Sequence, residues 1–147
     1  VMLDVFLPTG EGAFTQDVVV PELRVASAWS LPAGFGLLLN AGVDLPQGQR
    51  PIIDEQGVTT EDERFGQLIY VANLGYAFPF LEQRLSVFVE SFGRVVFDRE
   101  LGSNIHQFDT GAAFRITDDV QVDSFLQLGL NDAAPNYQLS IGVSFRI

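Results

Sequence analysis

Apolar and polar side chains alternate along almost the whole chain, and a period of two rules out most folds at once. The closing run YQLSIGVSFRI is the cleanest case. Tyr137, Leu139, Ile141, Val143, Phe145 and Ile147 point one way; Gln138, Ser140, Gly142, Ser144 and Arg146 point the other. Successive side chains of a strand leave opposite faces, so such a run reads as a strand with one apolar face. Eight stretches read this way: 1–8, 18–31, 35–45, 65–78, 84–97, 106–116, 120–130 and 137–147. Most span about 11 to 14 residues, against a usual strand of about 5–6 and about 9–11 for a tilted strand crossing a bilayer. Pro21 fits poorly inside a strand and predicts a bulge or a late start near residue 22.

The connections alternate too. Segments 9–17, 46–64, 98–105 and 131–136 are long and polar, while PAG at 32–34, PFLEQ around 79–83 and TDD at 117–119 are tight. Antiparallel neighbours joined in this way put every long loop at one end and every turn at the other. Outer-membrane barrels have this asymmetry. With an even number of strands both termini fall on the turn side.

Composition limits the alternatives. Hydrophobic residues make up 47% of the 147-residue chain and mean hydropathy is +0.21. Yet no apolar run approaches the ~18 residues of a membrane helix. The formal net charge is −11, carried against eight arginines and no lysine, which lacks the basic footprint of a nucleic-acid binder. There is no cysteine, so disulfides, thiolate catalysis and Cys-ligated metals are excluded. The length fits one domain, 1–147.

Which face points inward is decided by the chemistry of each. One face carries Val19, Leu23, Val25, Trp29, Phe35, Leu37, Leu39, Leu74, Val87, Val89, Phe114, Leu126 and Leu128 without a charge. The other carries Glu22, Arg24, Asn40, Asp44, Asn73, Glu90, Arg94, Asp109, Arg115, Asp123 and Arg146, interspersed with glycine. A small filled interior needs mixed side-chain sizes, but the apolar face is uniformly bulky. Its aromatics gather at the ends, Trp29, Phe35, Phe78, Phe114 and Phe145 near the turns and Phe97, Phe108 and Tyr137 near the long loops, as in membrane-interface girdles. The apolar face is therefore read as outward. A soluble, lipocalin-like barrel with the apolar face inward has the same period and stays open as an alternative.

Ser140-x-Gly142-x-x-Phe145-x-Ile147 resembles the C-terminal signal read by the machinery that folds outer-membrane barrels; members of that group usually end in an aromatic residue, and Ile147 departs from this. Further stretches carry a wider likeness: LDVFLPTGEG near the start, LLLNAGV at 37–43, SVFVESFG at 86–93, and the closing DTGAAFRITDDVQVDSFLQLGLNDAAPNYQLSIGVSFRI. Together they resemble the outer-membrane transporters associated with the meta-cleavage pathway of phenol degradation. The resemblance implies a channel for small hydrophobic or aromatic compounds. Members are generally longer, with strands ahead of this region, so the chain reads as the C-terminal part of a larger barrel or as a compact relative.

The candidate site is the polar face. Glu22, Arg24, Asp44, Glu90, Arg94, Asp109, Arg115, Asp123 and Arg146 are expected to form a lumen network, with Glu22–Arg24 and Glu90–Arg94 as same-side pairs and Asp109, Arg115, Asp123 and Arg146 pairing across the last three strands. In eight strands the interior is just filled by side chains, so a structural salt-bridge network and a solute path are both open. Phe6, Phe88, Phe92 and Phe125 fall on the same side, as packing or as an aromatic patch for an apolar solute. The acidic run DEQGVTTEDER at 54–64 reads as a solvated loop, or as a divalent-cation bridge to lipopolysaccharide. His106, with Ser103 and Asp109 nearby, is a weak echo of lipid-hydrolase chemistry; no nucleophile motif, zinc spacing or phosphate loop supports it.

The sequence therefore predicts an all-β, antiparallel up-and-down transmembrane barrel of about eight strands in the bacterial outer membrane. It is expected to be non-enzymatic, without cofactor or metal. Its expected partners are outer-membrane lipid and lipopolysaccharide, the barrel-assembly machinery and a small hydrophobic solute, with no nucleic acid. The rival is a plugged barrel serving structure or adhesion through its outer loops.

Overall fold

The computed structural model describes residues 1–9, 18–54 and 57–146. It is built of strands: β1 Met2–Phe6, β2 Val20–Ser30, β3 Phe35–Asp44, β4 Gln47–Asp54, β5 Gly57–Arg64, β6 Gln67–Ala77, β7 Leu85–Val96, β8 Ile105–Arg115, β9 Val120–Gly129 and β10 Tyr137–Phe145. Eight lie in one sheet in the order β1-β2-β3-β6-β7-β8-β9-β10, and β4-β5 form a separate two-stranded sheet. The long strands begin or end within about two residues of the expected stretches. Among the described residues no ladder joins β1 to β10.

Two expectations need correction. Segment 46–64 is not an irregular loop but a hairpin, paired from Gln47↔Arg64 to Asp54↔Gly57. Its strands lack the alternating apolar face that marks the others, and β5 is exposed throughout. Pro21 lies inside β2, opposite Val5. The strand tolerates it because a proline keeps its carbonyl, and Pro21 O accepts the Leu45 N–H at 3.3 Å.

The chain groups into two compact units. One comprises Val1–Ala26, Asn40–Tyr70 and Arg94–Asn104; the other comprises Ser27–Leu39, Val71–Gly93 and Ile105–Ile147. In the first, β1 pairs antiparallel with β2 (Asp4↔Glu22, Phe6↔Val20). The β4-β5 hairpin is fastened at its base, where Phe65 N–H donates to Pro46 O at 3.1 Å. Gly48 packs so closely on Leu101 that a Cβ there would lie 2.6 Å from Leu101 O.

The second unit contains the tight turns. Pro32–Gly34 form a 3-10 turn closed by Leu31 N–H to Phe35 O at 2.8 Å. Gly34 has φ +87°, and a Cβ there would lie 2.9 Å from Ala77 O, so only glycine fits without strain. At the next turn, Glu82 and Gln83 take left-handed backbone, with φ 53° and 58°. At the third, Thr117 Oγ1 accepts the Asp119 N–H. Beside the first two turns the rings of Phe35, Tyr76, Phe78 and Phe80 follow one another with centroids 4.8, 4.9 and 5.4 Å apart.

Exposure inverts the usual order of a soluble protein. Leu39, Leu74 and Leu126 are each about two-fifths exposed, and Ile141 reaches 80%. Glu22 and Asp109 are only 3% and 6% exposed, and Gln67, Gln107 and Gln127 are buried with them. The normal expectation is apolar side chains inside and unpaired charges outside. Here the parity of the strands selects the polar set for burial.

Candidate functional site

In the first unit the buried polar face centres on β2. Arg24 Nη2 lies 2.5 Å from Glu22 Oε1, joining a one-third-exposed guanidinium to a carboxylate almost wholly removed from solvent. Asp4 stands opposite Glu22 on β1. The bond between Leu45 N–H and Pro21 O sets the β2–β3 register, and stepping along it brings Glu22 opposite Asp44. Three carboxylates thus share one row on three neighbouring strands. Gln67 Nε2 donates to Asp44 Oδ2 at 3.1 Å, and Asp44 Oδ1 is buried without a partner. Gly42 lets the strands close up beside this row, since a Cβ there would sit 2.8 Å from Leu23 O and 3.2 Å from Arg24 Cα.

In the second unit the polar row crosses β6 to β9. Asn73 Nδ2 donates to Glu90 Oε2 at 2.9 Å. Arg115 N–H bonds Arg84 O at 2.8 Å, which fixes the β7–β8 register and puts Glu90 opposite Asp109 and Phe88 opposite Gly111. Asp109 in turn faces Gln127, and Gly111 faces Phe125. A Cβ on Gly111 would meet Phe88 Cε1 and Phe125 Cβ, each at 2.8 Å. The glycine leaves room for the ring of Phe88 from one flanking strand and the Cβ of Phe125 from the other. On the neighbouring pair, Asp123 faces Gly142.

Several sequence-predicted pairs do not form. Among the described residues no ion pair links Glu90 with Arg94, nor any two of Asp109, Arg115, Asp123 and Arg146. Four residues along a strand is about 13 Å, beyond the reach of Glu90 and Arg94, whereas the two-residue step from Glu22 to Arg24 is bridged. Arg94 is exposed. Of the aromatics, Phe88, Phe92 and Phe125 are half-buried, but Phe6, on the Val20 side of β1, is 53% exposed. Of the terminal signal, Ser140 and Gly142 lie half-buried on one face of β10 and Phe145 is exposed on the other; Ile147 lies outside the described residues.

The long-connection side holds a feature the sequence did not announce. Arg50 on β4 reaches Glu63 with Nε (2.6 Å), Glu100 with Nη1 (2.6 Å) and Asp98 with Nη2 (2.7 Å). Hydrogen bonding to Glu63, reinforced by Asp98, raises its pKa above the ordinary arginine value. Asp62 accepts from Gln49, so two of the acids considered for cation binding are already engaged, and the Glu55 of that run lies outside the described residues. Among the described residues no group of acids or histidine has metal-holding geometry. His106 and Asp109, three apart on β8, leave opposite faces, and His106 N–H donates to Asn131 Oδ1 at 3.1 Å.

Gln67, Gln107 and Gln127 were missed as site residues because they carry no charge. The available signal is parity along each strand, which Gln67 shares with Asn73, Gln107 with Asp109, and Gln127 with Asp123.

A sheet that buries carboxylates and carboxamides while leaving leucine and valine exposed defines an all-β protein of inverted polarity. Within that class, the chain belongs to the family described as "Putative MetA-pathway of phenol degradation", whose model matches residues 1–147. No curated protein and no solved structure matches it.

Proposed function

We propose that this chain is a bacterial outer-membrane β-barrel that lets small hydrophobic or aromatic compounds pass without catalysis. The exposure of Leu39, Leu74 and Leu126 beside the burial of Glu22 and Asp109 carries the reading. Against hydrocarbon that arrangement is favourable, and against water it is not. The barrel closes when β1 pairs with β10, which leaves no unpaired edge in lipid. Membership of a phenol-degradation family supports an aromatic solute, and Phe88 and Phe125 converging beside a polar row offer it an amphipathic wall.

The test is reconstitution. The protein folded into liposomes is expected to admit a small phenolic solute faster than protein-free vesicles. A folded, membrane-inserted protein that passes nothing would replace this reading with a plugged barrel. A protein that stays monomeric without detergent would overturn the membrane reading itself.

A further inference from the structure

We propose that Glu90 and Asp109 form a binding site for a monovalent organic cation, an alkylammonium group, with Phe88 and Phe125 supplying its aromatic wall. The two carboxylates stand opposite each other on adjacent strands and interact electrostatically. Like charges in that position destabilise a strand pair, so something must offset them. Among the described residues no arginine pairs with either.

The neighbours do not supply that compensation. Asn73 satisfies one oxygen of Glu90. Gln127, opposite Asp109, is a neutral amide. Asp109 is 6% exposed, and its Oδ1 is buried with no hydrogen-bond partner. A buried, unpartnered carboxylate oxygen facing a second carboxylate is the half-site of a positively charged ligand.

The next row identifies which cation. Ring atom Cε1 of Phe88 closes over Gly111, and Phe125 approaches the same glycine from the other strand. A hard divalent metal ion needs more oxygen ligands than this row offers. An ammonium group bearing methyls gains from both the carboxylates and the ring faces. The site rests on the reading of this face as the interior of a folded barrel, but not on the barrel conducting.

Tetramethylammonium is the probe, titrated by NMR into the refolded protein in detergent micelles, with caesium in a parallel arm. Saturable tetramethylammonium binding is expected, weakened at least tenfold by Asp109→Asn or Glu90→Gln and unchanged by Asp132→Asn, an exposed residue of the 130–136 connection. Phe88→Leu is expected to weaken tetramethylammonium several-fold and leave caesium unaffected. Caesium binding without tetramethylammonium would overturn the organic assignment. Absence of both, in protein whose heat-modifiable gel mobility shows it folded, would end the proposal. Binding by a protein that passes no solute would sink the channel and leave this site standing.

Discussion

Gly142 on β10 stands directly opposite Asp123 on β9, and a Cβ built on it would lie 2.5 Å from Asp123 Oδ1. Gly111 on β8 is equally tight, but against different atoms: Ser124 O at 2.5 Å and Phe125 Cβ at 2.8 Å. The end of an aspartate side chain can swing aside, whereas a backbone carbonyl and a Cβ cannot move without moving the strand. Gly111→Ala is therefore expected to cost about 3 kcal/mol and Gly142→Ala about 1, across the range for overpacking. Urea unfolding of the two variants in lipid vesicles measures the difference. Equal costs would mean that the backbone around Gly111 yields as readily as a side chain.

Removing Arg24 leaves Glu22 in a site it shares with no other cation among the described residues. Breaking a buried pair from one side costs about 3–5 kcal/mol, and the partial exposure of Arg24 puts Arg24→Met at the lower end. Arg24→Met combined with Glu22→Gln is expected to recover most of that loss. A double-mutant cycle reads the coupling; a null coupling would mean that water already solvates Glu22.

Leu126 and Gln127 are neighbours on β9 with opposite fates, the first 39% exposed and the second buried. If the Leu126 side meets hydrocarbon, Leu126→Arg costs about 2–4 kcal/mol near the bilayer midplane. Folding yield into liposomes is expected to fall accordingly, with Ser124→Arg as a second position on the same face. Unchanged folding of both variants in detergent-free buffer would contradict a lipid-facing surface.

The same two residues show what the sequence made legible. Strand parity separates Leu126 from Gln127 in the sequence itself, because a backbone period of two leaves no third choice. It likewise assigns Glu22, Asp109 and Phe125 to one face of the sheet. What it does not reveal is pairing that depends on distant register. The Asp98 and Glu100 that receive Arg50 are 48 and 50 residues away in sequence, and nothing in the acidic residues 57–64 marks them as a strand. The Asn73–Glu90 bond needed the β6–β7 register. Glu90 and Arg94 share a face, but four residues of strand rise separate them by about 13 Å, beyond ion-pair reach.

Arg50 holds the β4-β5 hairpin to Asp98 and Glu100, so Arg50→Ala is expected to expose the hairpin to protease and speed its amide exchange several-fold. The rest of the protein should stay folded. Salt in the molar range should mimic the variant, since these are exposed pairs that ions screen. Because its folded-state pKa is raised, the contribution of Arg50 is complete below its unfolded pKa and is lost only as pH rises through the higher folded value. Hairpin protection is therefore expected to be flat from about pH 7 to 10, where arginine stays charged. Protease mapping across that range checks the sign, and progressive loss within it would assign the protection to other groups.

Closure of the sheet can be tested with chemistry the native chain lacks, since it contains no cysteine. Leu3 and Val5 on β1 and Leu139, Ile141 and Val143 on β10 all belong to the apolar set and are strongly exposed. β10 spans nine residues and β1 five, so several registers are sterically open and the pairing must be scanned. Leu3→Cys is combined in turn with Leu139→Cys, Ile141→Cys and Val143→Cys, and each double variant is oxidised after folding into vesicles. If β1 closes onto β10, one combination forms an intramolecular disulfide in high yield, because Cβ atoms must approach to about 3.5–4.5 Å and a register brings only one pair that close. A disulfide-linked dimer from the same variants would instead show that the β10 edge pairs with a second copy. Failure of every combination, with the protein folded, would mean that neither edge seals the other and that further strands lie between them.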